Sequence, residues 1–414
     1  MNTREKFVET MMFAGKKTQP PKWEFGYWGE TLNRWYKSGL PRKNWVPLPR
    51  TYTTPSASIY THSWICDNPY VKEGEYPKGW VAAAGALYWP NQGFARDRDV
   101  LDFFGMDQAQ QVVDVNYFFE PMFPLKVFND NDHSFSYQDL DGVERIFLKE
   151  SATMATGYKW PIRDKKSWEQ LKKERLRPED ILKRFPKNWP EKIKEYKNRD
   201  YPLALGGYPM GFFGTLAHLM GYENLFYAYY DEPELVHDII GTFTDLWISV
   251  FEEVLKDVEI DHLQIWEDIS SGGGCMVSLP LMEEFMKPYY VRMIEFVKSK
   301  GVKIIIVDTD GNCWKIIPFF ISCGATAMFP FESHCGMDTR EVRKKFPNLA
   351  MMGGINKSNI RFGKEKIDEM LIPVKETLQS GGYIPFCDHF VPPEVDFENF
   401  KYYRSRLNEI IDSL

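Results

Sequence analysis

The chain has 414 residues, 51 of them Lys or Arg and 58 Asp or Glu, for a formal net charge of −7. That mild acidity argues against a nucleic-acid binder, which needs a basic face to displace counterions. With 43% hydrophobic, 26% charged and 16% aromatic residues, disordered, collagen-like and coiled-coil readings are excluded, and the length suits several domains or one (β/α)8 barrel with an extension.

The opening stretch, MNTREKFVETMMFAGKK, is charged from Arg4 onward and lacks an apolar run ahead of a cleavage site. No secretory signal is expected, and a cytoplasmic location is. No apolar run reaches the roughly 18 residues that span a bilayer. Six cysteines without a CxxC pair, Cys66 among them, suit a reducing compartment. Next comes an aromatic, Pro-rich stretch, in which Trp23, Tyr27 and Trp28 read either as core or as the wall of a flat apolar pocket for an aromatic ligand. Between about 110 and 160, the alternation in HSFSYQDLDGVERIFLKE around the Asp141-Gly142 turn predicts a small antiparallel β excursion. Residues 161–200 mix both charge signs at high density, as solvated outer helices do. His62, His133, His218, His237 and His262 are scattered and read as locally satisfied histidines.

From 201 a repeating grammar begins, in which a short apolar run ends in polar residues and leads into a helix-period stretch. The runs are 201–205, 262–266, 302–307, 326–331, 349–353 and 383–386, and the helices include 233–255, 280–298, 364–379 and 398–411. Six βα units, with further strand candidates at 23–27 and at 82–88 or 111–115, predict parallel strands covered by helices. A single barrel over 1–414 is favoured over an open sheet because no GxGxxG opens a unit. In this reading 1–160 holds the N-terminal aromatic segment, the first strands and the β excursion, 161–200 is the charged helical segment, and 201–414 carries the site.

The polar residues at the end of each apolar run carry the chemistry. Trp266 is followed by Glu267-Asp268, Val307 by Asp308-Thr309-Asp310-Gly311, Phe331 by Glu332-Ser333-His334, Ile355 by Asn356-Lys357, and Phe386 by Cys387-Asp388-His389. In a barrel these positions form the C-terminal rim, where barrel enzymes place their sites. Each acid alone fits a helix cap or turn, and Cys387 fits core as well as ligand. Carboxylates converging on one rim repel one another unless a cation or proton is shared, so Asp308, Asp310, Asp388 and His389 are candidate ligands for zinc or a harder divalent ion. Glu267, Glu332 and Lys357 are candidate catalytic residues, and Tyr208 is a further substrate-binding candidate.

The stretches GYENLFYAYYDEPELVHDII (221–240), WEDISSGGGCMVSLPLMEEFMKPYY (266–290), VKIIIVDTDGN (302–312), MFPFESHCGMD (328–338), MMGGINK (351–357) and GGYIPFCDHFVPPEV (381–395) together resemble the uroporphyrinogen decarboxylase superfamily. This is a barrel family that also holds zinc-dependent corrinoid methyltransferases. Thiol methyltransferases of the superfamily carry His-x-Cys-Gly after one strand and a further Cys after the last. This chain has Asp308-x-Asp310-Gly311 and Asp388 there, so the resemblance implies a harder Lewis acid matched to an oxygen leaving group. The acidic rim and the lack of an arginine-bearing N-terminal pattern speak against a polycarboxylate substrate. The chain looks most like the component of O-demethylase systems that moves a methyl group from a methoxylated, aromatic compound to Co(I) on a separate corrinoid protein. A cofactor-independent decarboxylase is the alternative.

Overall fold

A computed structural model of the chain describes residues 1–15, 18–43, 75–76, 81–86, 96–148 and 155–414; His62 and Cys66 lie outside them. Two short strands, β1 (Gly26–Trp28) and β2 (Val81–Ala83), pair antiparallel. They precede β3 (Gln111–Val112). The excursion is a four-stranded antiparallel sheet of β4 (Lys126–Asp130), β5 (Ser134–Gln138), β6 (Glu144–Leu148) and β7 (Thr156–Lys159). Alternation builds it: Phe135, Tyr137 and Phe147 turn inward while their chain neighbours are half-buried or exposed.

The rest of the chain alternates strand and helix through β8 (Leu203–Gly206), β9 (His262–Trp266), a small hairpin of β10 (Ser270–Ser271) and β11 (Gly274–Cys275), β12 (Ile304–Thr309), β13 (Ala327–Pro330), β14 (Ala350–Ile355) and β15 (Tyr383–Cys387). Seven strands form one curled parallel sheet in the order β15-β14-β13-β12-β9-β8-β3. Its strands are apolar almost throughout, as in Ile304–Val307, because helices or barrel contents cover both faces. The gap between β15 and β3 is crossed by backbone from the N-terminal segment. Val391 donates to the Gly26 carbonyl, Glu24 bridges Gly85 in parallel, and Gln110 donates to the Gly85 carbonyl. The architecture is that of a (β/α)8 barrel, with seven parallel strands and N-terminal backbone across the remaining gap.

Helix Pro233–Leu255 buries Val236, Ile239, Ile240, Phe243, Trp247, Val250 and Val254, the three- and four-residue spacing of a helix laid against a sheet. The run expected as one helix over 280–298 is two, Leu279–Phe285 and Lys287–Ser299. Pro288 lacks the N–H that a continuous helix needs and occupies the first turn of the second. At the end of the barrel away from the rim, Phe7 packs against Trp23 and His262, with ring centroids 5.6 and 4.9 Å away.

The excursion is tied to the barrel by buried charge. Arg145 Nη1 donates to Asp141 Oδ1 at 2.9 Å, and Asp141 Oδ2 meets both the Arg145 guanidinium and His218 Nε2, on helix Phe212–Met220. Burial works against ionising Asp141, but Arg145 and His218 outweigh it and hold the carboxyl below its usual range. An acid of depressed pKa stabilises the fold above its unfolded pKa, and that contribution is lost as pH falls through the folded value. Asp141→Asn leaves Arg145 buried without its full counter-charge, a loss on the order of 3–5 kcal/mol. Limited proteolysis should then cut between β4 and β7 well before the barrel, and wild type should acquire the same sensitivity only in acid.

Candidate active site

The parallel strands end on one rim, and register fixes which residue of each acidic pair enters it. Asp308 lies level with Trp266 and Phe329, still inside β12, and its carbonyl accepts from Glu267 N and Asp268 N at 2.9 and 3.3 Å. Asp310, two residues on, clears the wall. Behind it Gly311 has φ +71°, and a Cβ there would collide with the Ser271 backbone, so the loop needs glycine. Gly311 N donates to Glu332 Oε2 at 2.9 Å.

Glu332 Oε1 accepts from Lys357 Nζ at 3.2 Å, and the same ammonium lies 3.5 Å from Asp388 Oδ1. Asp388 is buried; Ser333 N donates to its Oδ2 at 3.0 Å and Lys357 N to its Oδ1 at 3.2 Å. Burial disfavours its charge, yet His334, Lys357 and these amides hold its pKa low. Burial likewise opposes the Lys357 ammonium, but Asp388 and Glu332 prevail and raise its pKa. These two groups stay ionised.

Asp268 and Asp310 behave oppositely. Burial and then Glu332 push Asp268 up to about 6. Burial, followed by Asp268, Asp308 and Glu332, raises Asp310 well above the carboxylate range. Asp268 also has φ +46°, a left-handed conformation that aspartate tolerates better than most residues. His389 Nε2 stands 3.7 Å from Asp310 Oδ2, and its ring stacks on Phe25 at 4.7 Å. Burial, with Lys357, lowers the His389 pKa to about 4, so the imidazole is neutral at pH 7. Across the rim, Tyr208 packs edge-on to Trp266 at 4.5 Å, and its hydroxyl is 2.9 Å from His218 Nδ1.

Several sequence expectations are corrected. Glu267 does not face the mouth. Its carboxylate is buried and accepts from Phe212 N and Phe213 N at 2.7 Å and Gly214 N at 3.1 Å, capping helix Phe212–Met220. Burial raises its pKa to about 7 while these amides pull it down. Trp23 and Tyr27 are core. Trp23 donates from Nε1 to the Gln108 carbonyl near the closed end of the barrel, and Tyr27 packs on Trp35 and Phe400. Trp28 alone of the three is half-buried beside Phe390 at the rim side. Asp308, Asp310, Asp388 and His389 do not gather into one ligand shell, because Asp308 stays in the wall and Asp388 is turned to loop amides. Among the described residues, the donors whose ligand atoms all lie within 4.8 Å of one another are Glu332, His334 and Cys335.

Sequence reasoning placed Asp268 on the rim and Phe25 in the aromatic stretch without giving either a role, and left Cys335 out of the candidate site. Asp268 and Phe25 were visible as neighbours of chosen residues, and only register separates them. Cys335 carried no signal beyond its place next to His334.

An acidic rim on a parallel barrel with an aromatic wall defines a small-molecule site of the barrel-enzyme kind. The pattern of the uroporphyrinogen decarboxylase (URO-D) family matches residues 159–410, and the chain belongs to that family. No curated protein matches the chain. Among solved structures, it is similar to a methyltransferase from Methanosarcina mazei (17% identity over 65% of this chain and 76% of that one, TM-score 0.46). A B12-independent methionine synthase from Shewanella sp. W3-18-1 in complex with selenomethionine is also similar (9% identity, 70% and 74% covered, TM-score 0.29).

Replacing Glu267 by Gln puts an amide NH2 against helix N–H donors. A loss of about 1–3 kcal/mol is expected, seen as a lower unfolding midpoint in urea. Turnover per folded molecule should be unchanged; a drop in turnover without a change in midpoint would return Glu267 to the chemistry.

Proposed function

We propose that the chain is a methyltransferase that takes a methyl group from a methoxylated, aromatic small molecule and passes it to the Co(I) centre of a separate corrinoid protein. The observation that carries this reading is the charge of the mouth. Asp268, Asp310, Glu332 and Asp388 converge there, and among the described residues Lys357 is the lysine or arginine paired with them. Such a mouth offers a polycarboxylate, among the described residues, a single cation that is already paired, and suits an uncharged ether. Tyr208 and Trp266 offer the ring a flat wall.

The chain's own residues then have definite tasks. The methyl carbon leaves the ether oxygen for cobalt, and the electron pair of the broken C–O bond stays on oxygen. Asp310, raised by burial and by Asp268, Asp308 and Glu332, and Asp268, raised by burial and Glu332 to about 6, can give that oxygen a proton in their acid forms. Lys357 remains charged beside Glu332 and holds Asp388 ionised. His389, neutral and stacked on Phe25, stands 3.7 Å from the Asp310 carboxyl. The reading includes zinc in this mouth, which when bound polarises the ether oxygen.

The test supplies methoxylated aromatics with a cob(I)alamin acceptor and follows methylcobalamin formation by its absorption and the demethylated product by mass. Decarboxylation of a porphyrinogen substrate without methyl transfer would overturn the proposal. Because the acid must be protonated, kcat/KM should fall as pH rises above about 6, the Asp268 value. Asp268→Asn keeps the shape but cannot release a proton. It should lower kcat on the order of 10²-fold and flatten that limb of the profile.

A further inference from the structure

We propose that Glu332, His334 and Cys335 are the residues that hold the metal. For the use made of the ion this rests on the methyl-transfer reading, but binding itself does not depend on it. The three donors lie on one turn: a single helical turn over Ser333–Cys335 succeeds Glu332, and Gly336 leaves it in a left-handed conformation. Their ligand atoms lie within 4.8 Å of one another, and Cys335 Sγ is 3.7 Å from Glu332 Oε2. Two ligands on a tetrahedral ion with bonds of about 2.0 and 2.3 Å sit roughly 3.5 Å apart, so closure around an ion needs only small side-chain movements.

The surroundings suit a held ion. Glu332 is oriented at both oxygens, by Gly311 N and by Lys357 Nζ, the kind of outer support that fixes a ligating carboxylate. His334 Nδ1 stands 3.9 Å from the buried Asp388 carboxylate, a pairing that sets the ring of a ligating histidine. His334 is 52% exposed, so the turn is open to solvent. Three protein donors leave a fourth position for substrate, as in catalytic zinc sites. One oxygen, one nitrogen and one sulfur select zinc-like ions over magnesium or calcium. Asp310 and His389 stand beside this group as a separate pair.

The experiment loads chelator-stripped full-length protein with Co(II) and reads the thiolate-to-cobalt charge-transfer band in the near ultraviolet, with zinc stoichiometry by elemental analysis. One equivalent of either ion and a sulfur band are expected. Cys335→Ser should abolish the band, and His334→Ala should weaken binding at least about tenfold. Asp310→Asn and His389→Gln should keep both band and stoichiometry, with circular dichroism checking each fold. Tight Co(II) binding without a sulfur band, lost in Asp310→Asn or His389→Gln, would overturn this site and leave metal-assisted methyl transfer standing. Wild type that binds neither ion would overturn the site, while methyl transfer to cob(I)alamin stays separately measurable.

Discussion

The mouth of this barrel depends on how four carboxylates share one rim. Coulomb repulsion in a poorly hydrated site is severe, and the structure divides the acids into two kinds. Glu332 and Asp388 are bound by Lys357 and by loop amides. Burial and neighbouring acids raise Asp268 to about 6 and Asp310 well above the carboxylate range, so these two take up protons most readily. Lys357 thus joins the loops after β13, β14 and β15 and helps to keep Asp388 ionised. Position along the rim, more than residue type, separates anchor from acid.

The fold was largely legible in the sequence because buried parallel strands are written as apolar runs that end in polar residues. The runs at 262–266 and 383–386 lie within a residue of β9 and β15. The alternation around Asp141 likewise marks β5 and β6. The illegible parts depended on partners far away in the chain. Residues 24–28 close the barrel through Val391 and Gly85, which no local pattern announces. The helix break before Pro288 was readable, but the apolar period runs through it.

At the site, strand ends pointed to the C-terminal rim, and single-residue register limited the rest. Glu267 and Asp268 differ by one position, yet one caps a helix and the other enters the mouth. A side chain's direction flips at each step of an extended chain, and the left-handed turn at Asp268 shifts it again. The Tyr208, His218, Asp141 and Arg145 chain joins two segments more than sixty residues apart, so scattered histidines gave no hint of it. Through it the excursion sets the aromatic wall of the mouth.

A second latch lies behind the last strand. Cys387 N donates to Glu24 Oε1 at 2.6 Å, and Arg404 pairs with Glu24 Oε2 at 3.4 Å and donates to the Trp23 carbonyl. These contacts join residues about 360 to 380 positions apart, and closing so long a loop is slow. On the ribosome, Asp388 and His389 emerge before Arg404 does, so a growing chain carries the rim acids before it can fix them. The mouth is therefore finished only after synthesis has passed the final helix.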